Sequence, residues 1–271
     1  MSEENIVIQD MIEESEMHRA LELALEAGRI LLGNGAEIFR VEETIWHICN
    51  HYNIEQFDAF VLSNGIFLTA YQKGKESFAR VKHIPLAGTH LGIVTEVNNL
   101  SREIVAGKVD MDEAFARLRE IEKMPPKKNW KMVLAAGLGS GAFCYLLQTN
   151  TPASCIAFLI GSILYSFVLF AQRHKMSKII INIVGGAIIT ILALLAMKLP
   201  FKMGIDQIII GSILPLVPGV AFVNAIRDIA DSDFISGIVR MLDALFVFVY
   251  IAIGVGCVLS FYEQVLGGVI L

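Results

Sequence analysis

Apolar residues recur at helical spacing along His18–Leu32. Leu21, Leu25, Gly28 and Leu32 share a face, and Glu22, Glu26 and Arg29 lie on others. Gly33-Asn34-Gly35 stops this helix, because Gly and Asn accept the left-handed conformation of helix ends. A second helix follows over about Ala36–Tyr52, with the stripe Ile38, Val41, Ile45, Ile48 and Tyr52. The period then changes to two. Phe57–Leu62, Ile66–Tyr71 and Ser77–Lys82 are rich in strand formers, and Ser63-Asn64-Gly65 and Lys73-Gly74-Lys75 read as hairpin turns between them. The pattern predicts a three-stranded antiparallel meander. Helices return over about Thr89–Ala106, closed by Gly107, and Met111–Lys123, where Asp110 with Glu113 three residues on resembles a capping box. The order is ααβββαα, an α+β domain over about 17–124 behind an acidic tail, 1–16. One face of such a sheet packs on helices, and the second must be covered by helices or a partner.

Beyond Met124-Pro125-Pro126 the pattern changes again. Two prolines cannot continue a helix, and 125–130 reads as a linker. Between Lys131 and Arg173 lie 41 residues without Asp, Glu, Lys or Arg. A membrane span needs about 20 apolar residues, so this run holds two spans and a turn at Gln148-Thr149-Asn150-Thr151-Pro152. Three more apolar stretches follow. The expectation is an all-α membrane domain over 131–271 with five transmembrane helices, at about 131–147, 153–172, 179–197, 205–226 and 244–262.

Composition and charge sharpen this division. The 271 residues are 55% hydrophobic and 18% charged, against about 25% charged in soluble domains. Residues 1–130 carry 14 Lys/Arg and 21 Asp/Glu, whereas residues 131–271 carry 8 and 6. The net charge of −5 argues against a nucleic-acid binder and leaves the lipid bilayer as the expected surroundings. Nine Lys/Arg flank the spans on one side, and only Lys198 and Lys202 lie on the other. The positive-inside rule then puts the N-terminal domain in the cytoplasm and the C-terminus outside a multi-pass cell membrane protein. The acidic start, Met1–Asp10, lacks the apolar core of a signal peptide. Four cysteines without a CxxC predict no disulfide framework.

Candidate chemistry is sparse in the cytoplasmic half. His47 and His51 have the spacing of a zinc-protease helix, but Ile48 stands where the Glu is needed, so no metal site is expected. No nucleophile elbow, P-loop or dinucleotide fingerprint occurs, and no catalytic residue or cofactor is predicted. The segment containing Gly35, Glu37, Arg40 and Glu42 is denser in charge than a helix start requires. Glu37 and Arg40 are one turn apart and can pair, leaving Glu42 available for docking or gating.

The fourth apolar stretch is the most informative. Pro215 and Pro218 lack donor N–H groups and break the helix, and Gly219 follows. A broken span is tolerated where it lines a cavity, so these residues mark a candidate transport path. Asn224, Arg227 and Asp228 follow at its cytoplasmic end. Asn182 lies near the start of span three, and Asp243 opens span five, where Arg240, three residues earlier, can pair with it. Gly137 and Gly141 form a small-x-x-x-small pair favouring close helix contact.

The segment Leu31-Leu32-Gly33-Asn34-Gly35-Ala36-Glu37-Ile38-Phe39-Arg40-Val41-Glu42 resembles the N-terminal signature of the threonine/serine exporter family. Ser63–Leu68, Asn98-Asn99-Leu100-Ser101-Arg102, Ala106-Gly107-Lys108, and Leu216-Val217-Pro218-Gly219-Val220 followed by Asn224-Ala225-Ile226-Arg227-Asp228 are similar to it too. The resemblance runs from about Met17 to the last span. It implies secondary export of a small carboxylate-bearing metabolite, threonine or serine or, as in split relatives, a dicarboxylate such as succinate. Full-length members join two membrane halves, and this chain resembles the first, which implies a second small membrane subunit of the same family or a homo-oligomer. The family's cytoplasmic domain has been likened to a hydrolase, so a membrane-anchored hydrolase is one alternative and a non-transporting sensor or scaffold another.

Overall fold

A computed structural model describes residues 3–72, 75–85, 88–125, 128–147, 150–201 and 203–266. Of the expected turns, residues 73–74 and 148–149 lie outside the described residues, as do 126–127 of the expected linker. The chain forms two compact units. One comprises Met1–Pro125 and Val220–Met241, the other Pro126–Gly219 and Leu242–Leu271.

In the first unit α1 (Glu3–Gly33), α2 (Ile38–His51), β1 (Phe57–Leu62), β2 (Gly65–Gln72), β3 (Lys75–His83), α3 (Leu91–Val105) and α4 (Met111–Glu122) follow in the anticipated ααβββαα order. The first helix begins well before the expected His18, because its leading Glu, Met and Ile residues are good or adequate helix formers. The strands form one antiparallel sheet, β1-β2-β3, in which Val61 pairs with Ile66 and Ile66 with Lys82. Its inner face sends Val61, Ile66 and Leu68 into a core with Leu21, Leu31, Ile45, Ile48 and Leu100. Gly28 lets α1 approach α2: a Cβ there would stand 2.9 Å from Ile45 Cδ1. On the outer face Phe60, Phe67 and Val81 form one cross-strand row and are exposed. Asp110 Oδ1 accepts from Glu113 N at 2.8 Å, the expected cap of α4. The unit is completed by α9 (Gly219–Ala230) and the opening turns of α10 (Phe234–Leu266).

The second unit contains α5 (Asn129–Leu146), α6 (Thr151–Arg173), α7 (Lys178–Ala196), α8 (Ile205–Ile213), a 3-10 turn at Leu214–Leu216 and the rest of α10. Close packing of α5 on α6 rests on glycine, as the Gly137/Gly141 spacing predicts. A Cβ at Gly141 would lie 3.0 Å from Ser154 O, and one at Gly137 would meet the Ser162 hydroxyl and Phe158 O. Gly254 and Gly186 do the same for α7 against α10.

Among the described residues three helices are long and apolar enough to cross a membrane: α6, α7 and Phe234–Val265 of α10. The bent pair of α8 with its 3-10 turn and α9 makes a fourth candidate. The helix α5 opens on Asn129-Trp130-Lys131 and stands outside this set. The last apolar helix starts ten residues earlier than the expected 244, because the charge of Arg240, which reads as a span boundary, is neutralised inside the structure.

Candidate functional site

The turn between α1 and α2 is built by local rules. Gly35 has φ +80°, the left-handed position after a helix. Gly35 N donates to Leu32 O and Ala36 N to Leu31 O, both at 3.1 Å, the paired bonds of a Schellman turn. Asn34 Nδ2 donates to Ile30 O at 2.8 Å. The turn thus leaves the carbonyls of residues 34, 35 and 36 directed away from its own helix.

Each of these carbonyls has a distant donor. Asn34 O accepts from His90 N at 3.1 Å. Gly35 O accepts from Asn224 Nδ2 at 3.0 Å, and Ala36 O from Arg240 Nη2 at 3.1 Å. The start of α2 is held in the same way. Glu37 offers no side-chain cap to its own helix, since one carboxylate oxygen accepts from Arg40 at 2.8 Å and the other from Arg227 at 2.7 Å. Instead Asp228 Oδ1 accepts from Ile38 N at 3.4 Å. Arg227 also lies over the Phe39 ring, 4.8 Å from its centroid.

Asp228 and Arg240 pair at 3.0 Å, with side chains 1% and 8% exposed. Both charges are desolvated, which is tolerable only because each is also hydrogen-bonded to backbone. They are brought together by Gly237, where a Cβ would stand 2.9 Å from Ile229 N and 3.0 Å from Ala225 O. At the other side of the hairpin Ser63 N donates to Ser236 Oγ at 3.1 Å. Glu42 lies nearby, accepting from Val61 N at 3.2 Å. Burial pushes its carboxyl above the ordinary range; the Val61 bond opposes this and Asp233 adds to it.

These contacts gather seven of the anticipated residues into one constellation: Gly35, Glu37, Arg40 and Glu42 with Asn224, Arg227 and Asp228. The expected Glu37–Arg40 pair is present. The expected Arg240–Asp243 pair is not. Arg240 turns to Asp228, and Asp243 instead meets Lys178 at 2.7 Å, because residues three apart on α10 point to different neighbours. Sequence reasoning assigned Arg240 no place in the site and overlooked Ser236 altogether. The signal for Arg240 was an arginine inside an otherwise apolar helix.

Pro215, Pro218, Gly219, Asn182 and Asp243 belong to the second unit. Pro215 lies in the 3-10 turn, Pro218 follows Val217 in extended conformation (φ −63°, ψ 125°), and α9 starts at Gly219. Leu214 O, which an intact helix would bond to residue 218, accepts from Val217 N at 3.2 Å. Asn182 is buried and donates to Lys178 O at 2.7 Å within its own helix. Among the described residues the hydroxyls of Ser140 on α5 and Ser212 on α8 are buried without a hydrogen-bond partner. Gly211, beside Ser212, faces Cys144 of α5 so closely that a Cβ would be 2.6 Å away. His47 lies 3.7 Å from Glu43 and His51 stacks edge-on against Tyr52.

Comparison with known proteins supplies the class. A family model described as "Putative threonine/serine exporter" matches residues 22–262. The chain belongs to this family. It is 26% identical over 92% of its length to "Probable succinate transporter subunit YjjP" of Escherichia coli, covering 97% of that protein. It is 24% identical over 90% of its length to the protein of the same name from Klebsiella aerogenes, covering 94% of it. It is 25% identical over 91% of its length to "Threonine/serine exporter" of Corynebacterium glutamicum, of which it spans only 52%. No solved structure matches the chain. With its apolar helices, the chain is a multi-pass membrane protein of the threonine/serine exporter family.

Proposed function

We propose that this chain is one subunit of a two-part secondary exporter that carries a small carboxylate-bearing metabolite, threonine, serine or a dicarboxylate such as succinate, out of the cell. The N-terminal domain lies in the cytoplasm, and the membrane domain that follows crosses the bilayer. The observation that carries this reading is the interruption at Leu214–Pro218. A helix broken within an apolar stretch exposes backbone groups that only a polar cavity or a substrate can use. The unpartnered hydroxyls of Ser140 and Ser212 add to it. A buried polar group without a partner costs about 1–3 kcal/mol, and a passing carboxylate would satisfy it.

Pro215, Pro218 and Gly219 set the geometry of the path, with Asn182 at its flank. The Lys178–Asp243 pair guards its cytoplasmic mouth. Asn224, Arg227 and Asp228 act by clasping the Gly35–Ile38 turn, which ties the segment after the break to the cytoplasmic domain. A second subunit supplies the remaining membrane half. The Corynebacterium relative is about twice as long as the stretch matched here, and the Escherichia relative is named a subunit.

The test is efflux from proteoliposomes loaded with labelled succinate, threonine or serine, containing this chain alone or with a small all-membrane protein of the same family. Efflux of one of the three only when both proteins are present is the expected result. Efflux of none, with both proteins inserted, overturns the reading. Transport by a stable monomer overturns the two-part assembly.

A further inference from the structure

The helix α9 is amphipathic in the opposite sense to a surface helix of a soluble domain. Its polar residues Asn224, Arg227 and Asp228 bond to residues 35–38, with Asp228 buried and Arg227 about half exposed. Its apolar side is turned outward: Val220, Val223 and Ile226 are exposed, Val223 by 61%. The opening turns of α10 continue the display with Phe234, Ile235, Ile238 and Val239, of which Ile235 is 69% exposed. Exposed apolar surface of this extent marks an interface.

Length and continuity identify what covers it. At 1.5 Å per residue the 12 residues of α9 reach about 18 Å, short of the roughly 30 Å hydrocarbon core. The 33 residues of α10 reach about 50 Å, far more than a crossing needs. The segment Phe234–Met241, about 12 Å of that surplus, belongs with the N-terminal unit. That segment runs without interruption into the apolar remainder of α10. The exposed residues are thus continuous along the chain with a helix long and apolar enough to cross a membrane. The polar side of α9 cannot sit in hydrocarbon, because its partners are the backbone and Glu37 of a turn between two soluble-domain helices.

We propose that α9, with the opening turns of α10, is an in-plane foot that rests its apolar face in the lipid headgroup boundary, rather than the second half of a membrane span. Such helices sink about 5–10 Å into the boundary while their polar face stays outside the hydrocarbon. Here the protein covers Asp228, and Arg227 stays about half exposed beside Glu37. The proposal is independent of which substrate is exported.

The test uses the full chain in phosphatidylcholine/phosphatidylglycerol vesicles. The exposed cysteines are removed by Cys155→Ala and Cys257→Ala, and a nitroxide is attached at Val223→Cys or Ile226→Cys. Glu120→Cys on α4 serves as the water reference and Val249→Cys on α10 as the lipid reference. Oxygen and a nickel chelate are the collision probes. The expected result is more collision with oxygen than with nickel at 223 and 226, at a depth about 5–10 Å below the phosphates and shallower than at 249. Nickel collision as frequent as at 120 would mean an aqueous face, a depth equal to 249 would mean a spanning half-helix, and shielding from both probes would mean a protein neighbour. Each of these three results overturns the proposal.

Discussion

Asp228 caps a helix that begins 190 residues before it, its Oδ1 accepting from the backbone N–H of Ile38. A helix start presents unsatisfied N–H groups and a partial positive charge, and a carboxylate there is stabilising. The residue placed to do this locally, Glu37, is drawn instead to Arg40 and Arg227. The cap is therefore available only when α9 is docked, and it is neutralised from behind by Arg240.

Breaking that pair should be costly. Removing one partner of a buried ion pair leaves an uncompensated charge and costs about 3–5 kcal/mol. Asp228→Asn and Arg240→Gln are each expected to lower the thermal unfolding midpoint in detergent and to expose the segment around Ala230 to protease. The double variant should lose less than the sum of the singles. Strictly additive losses would show that the two side chains do not act as a unit.

The turn itself should be intolerant at Gly35. A Cβ there meets Thr89 Oγ1 at 2.7 Å, and the left-handed backbone costs an L-residue about 1–2 kcal/mol. Gly35→Ala is expected to lower the unfolding midpoint. Gly107→Ala serves as the control, since it shares positive φ but has nothing within 4 Å of the new Cβ and should lose only the backbone share.

Glu42 predicts a pH dependence. Burial raises its pKa above the ordinary 4.5, so the folded state favours the protonated carboxyl. Its favourable contribution is complete below the unfolded value and is lost as pH rises through the folded one. Glu42→Gln keeps an acceptor for Val61 N and removes the buried charge. It should therefore melt higher than the natural protein at pH 8, with the difference closing as the pH falls toward 4.5. An unchanged difference across that range would contradict the assignment.

The break offers a separation of folding from transport. A Cβ at Gly219 meets nothing within 4 Å, so Gly219→Leu is expected to insert and fold normally. Pro218→Ala restores an N–H that can compete with Val217 for Leu214 O and straighten the chain. Both are expected to abolish efflux at normal protein level. Normal efflux per molecule in both variants would remove the path from this segment.

Much of this architecture is legible in the sequence. Alternation gave β1 to the residue, Phe57–Leu62, because one face of that strand is buried. Gly35 announced its turn because only a residue without Cβ sits comfortably at positive φ. Asp110 announced its cap. The clasp was not readable in the same way. Asn224, Arg227 and Asp228 read as the cytoplasmic end of a broken span, and nothing local says that their partners are Gly35 O, the Glu37 carboxylate and the N–H of Ile38. Arg240 was matched to Asp243 because three-residue spacing is visible in sequence, whereas a contact across 12 residues made by a glycine-bottomed hairpin is not. The start of α10 was misread for the same reason, since a charge that finds its counter-ion in three dimensions still looks like a boundary along the chain.

The bond from Arg240 to Ala36 O spans 204 residues, and this has a bearing on biogenesis. The N-terminal domain leaves the ribosome with the carbonyls of Gly35 and Ala36 still waiting for their protein donors. Those donors emerge only after helices α5 to α8 have been synthesised and delivered to the bilayer. A hairpin left on the opposite face of the membrane by a missed insertion event could never reach the turn. The clasp thus closes only where the turn and its late-made donors lie on the same face of the membrane.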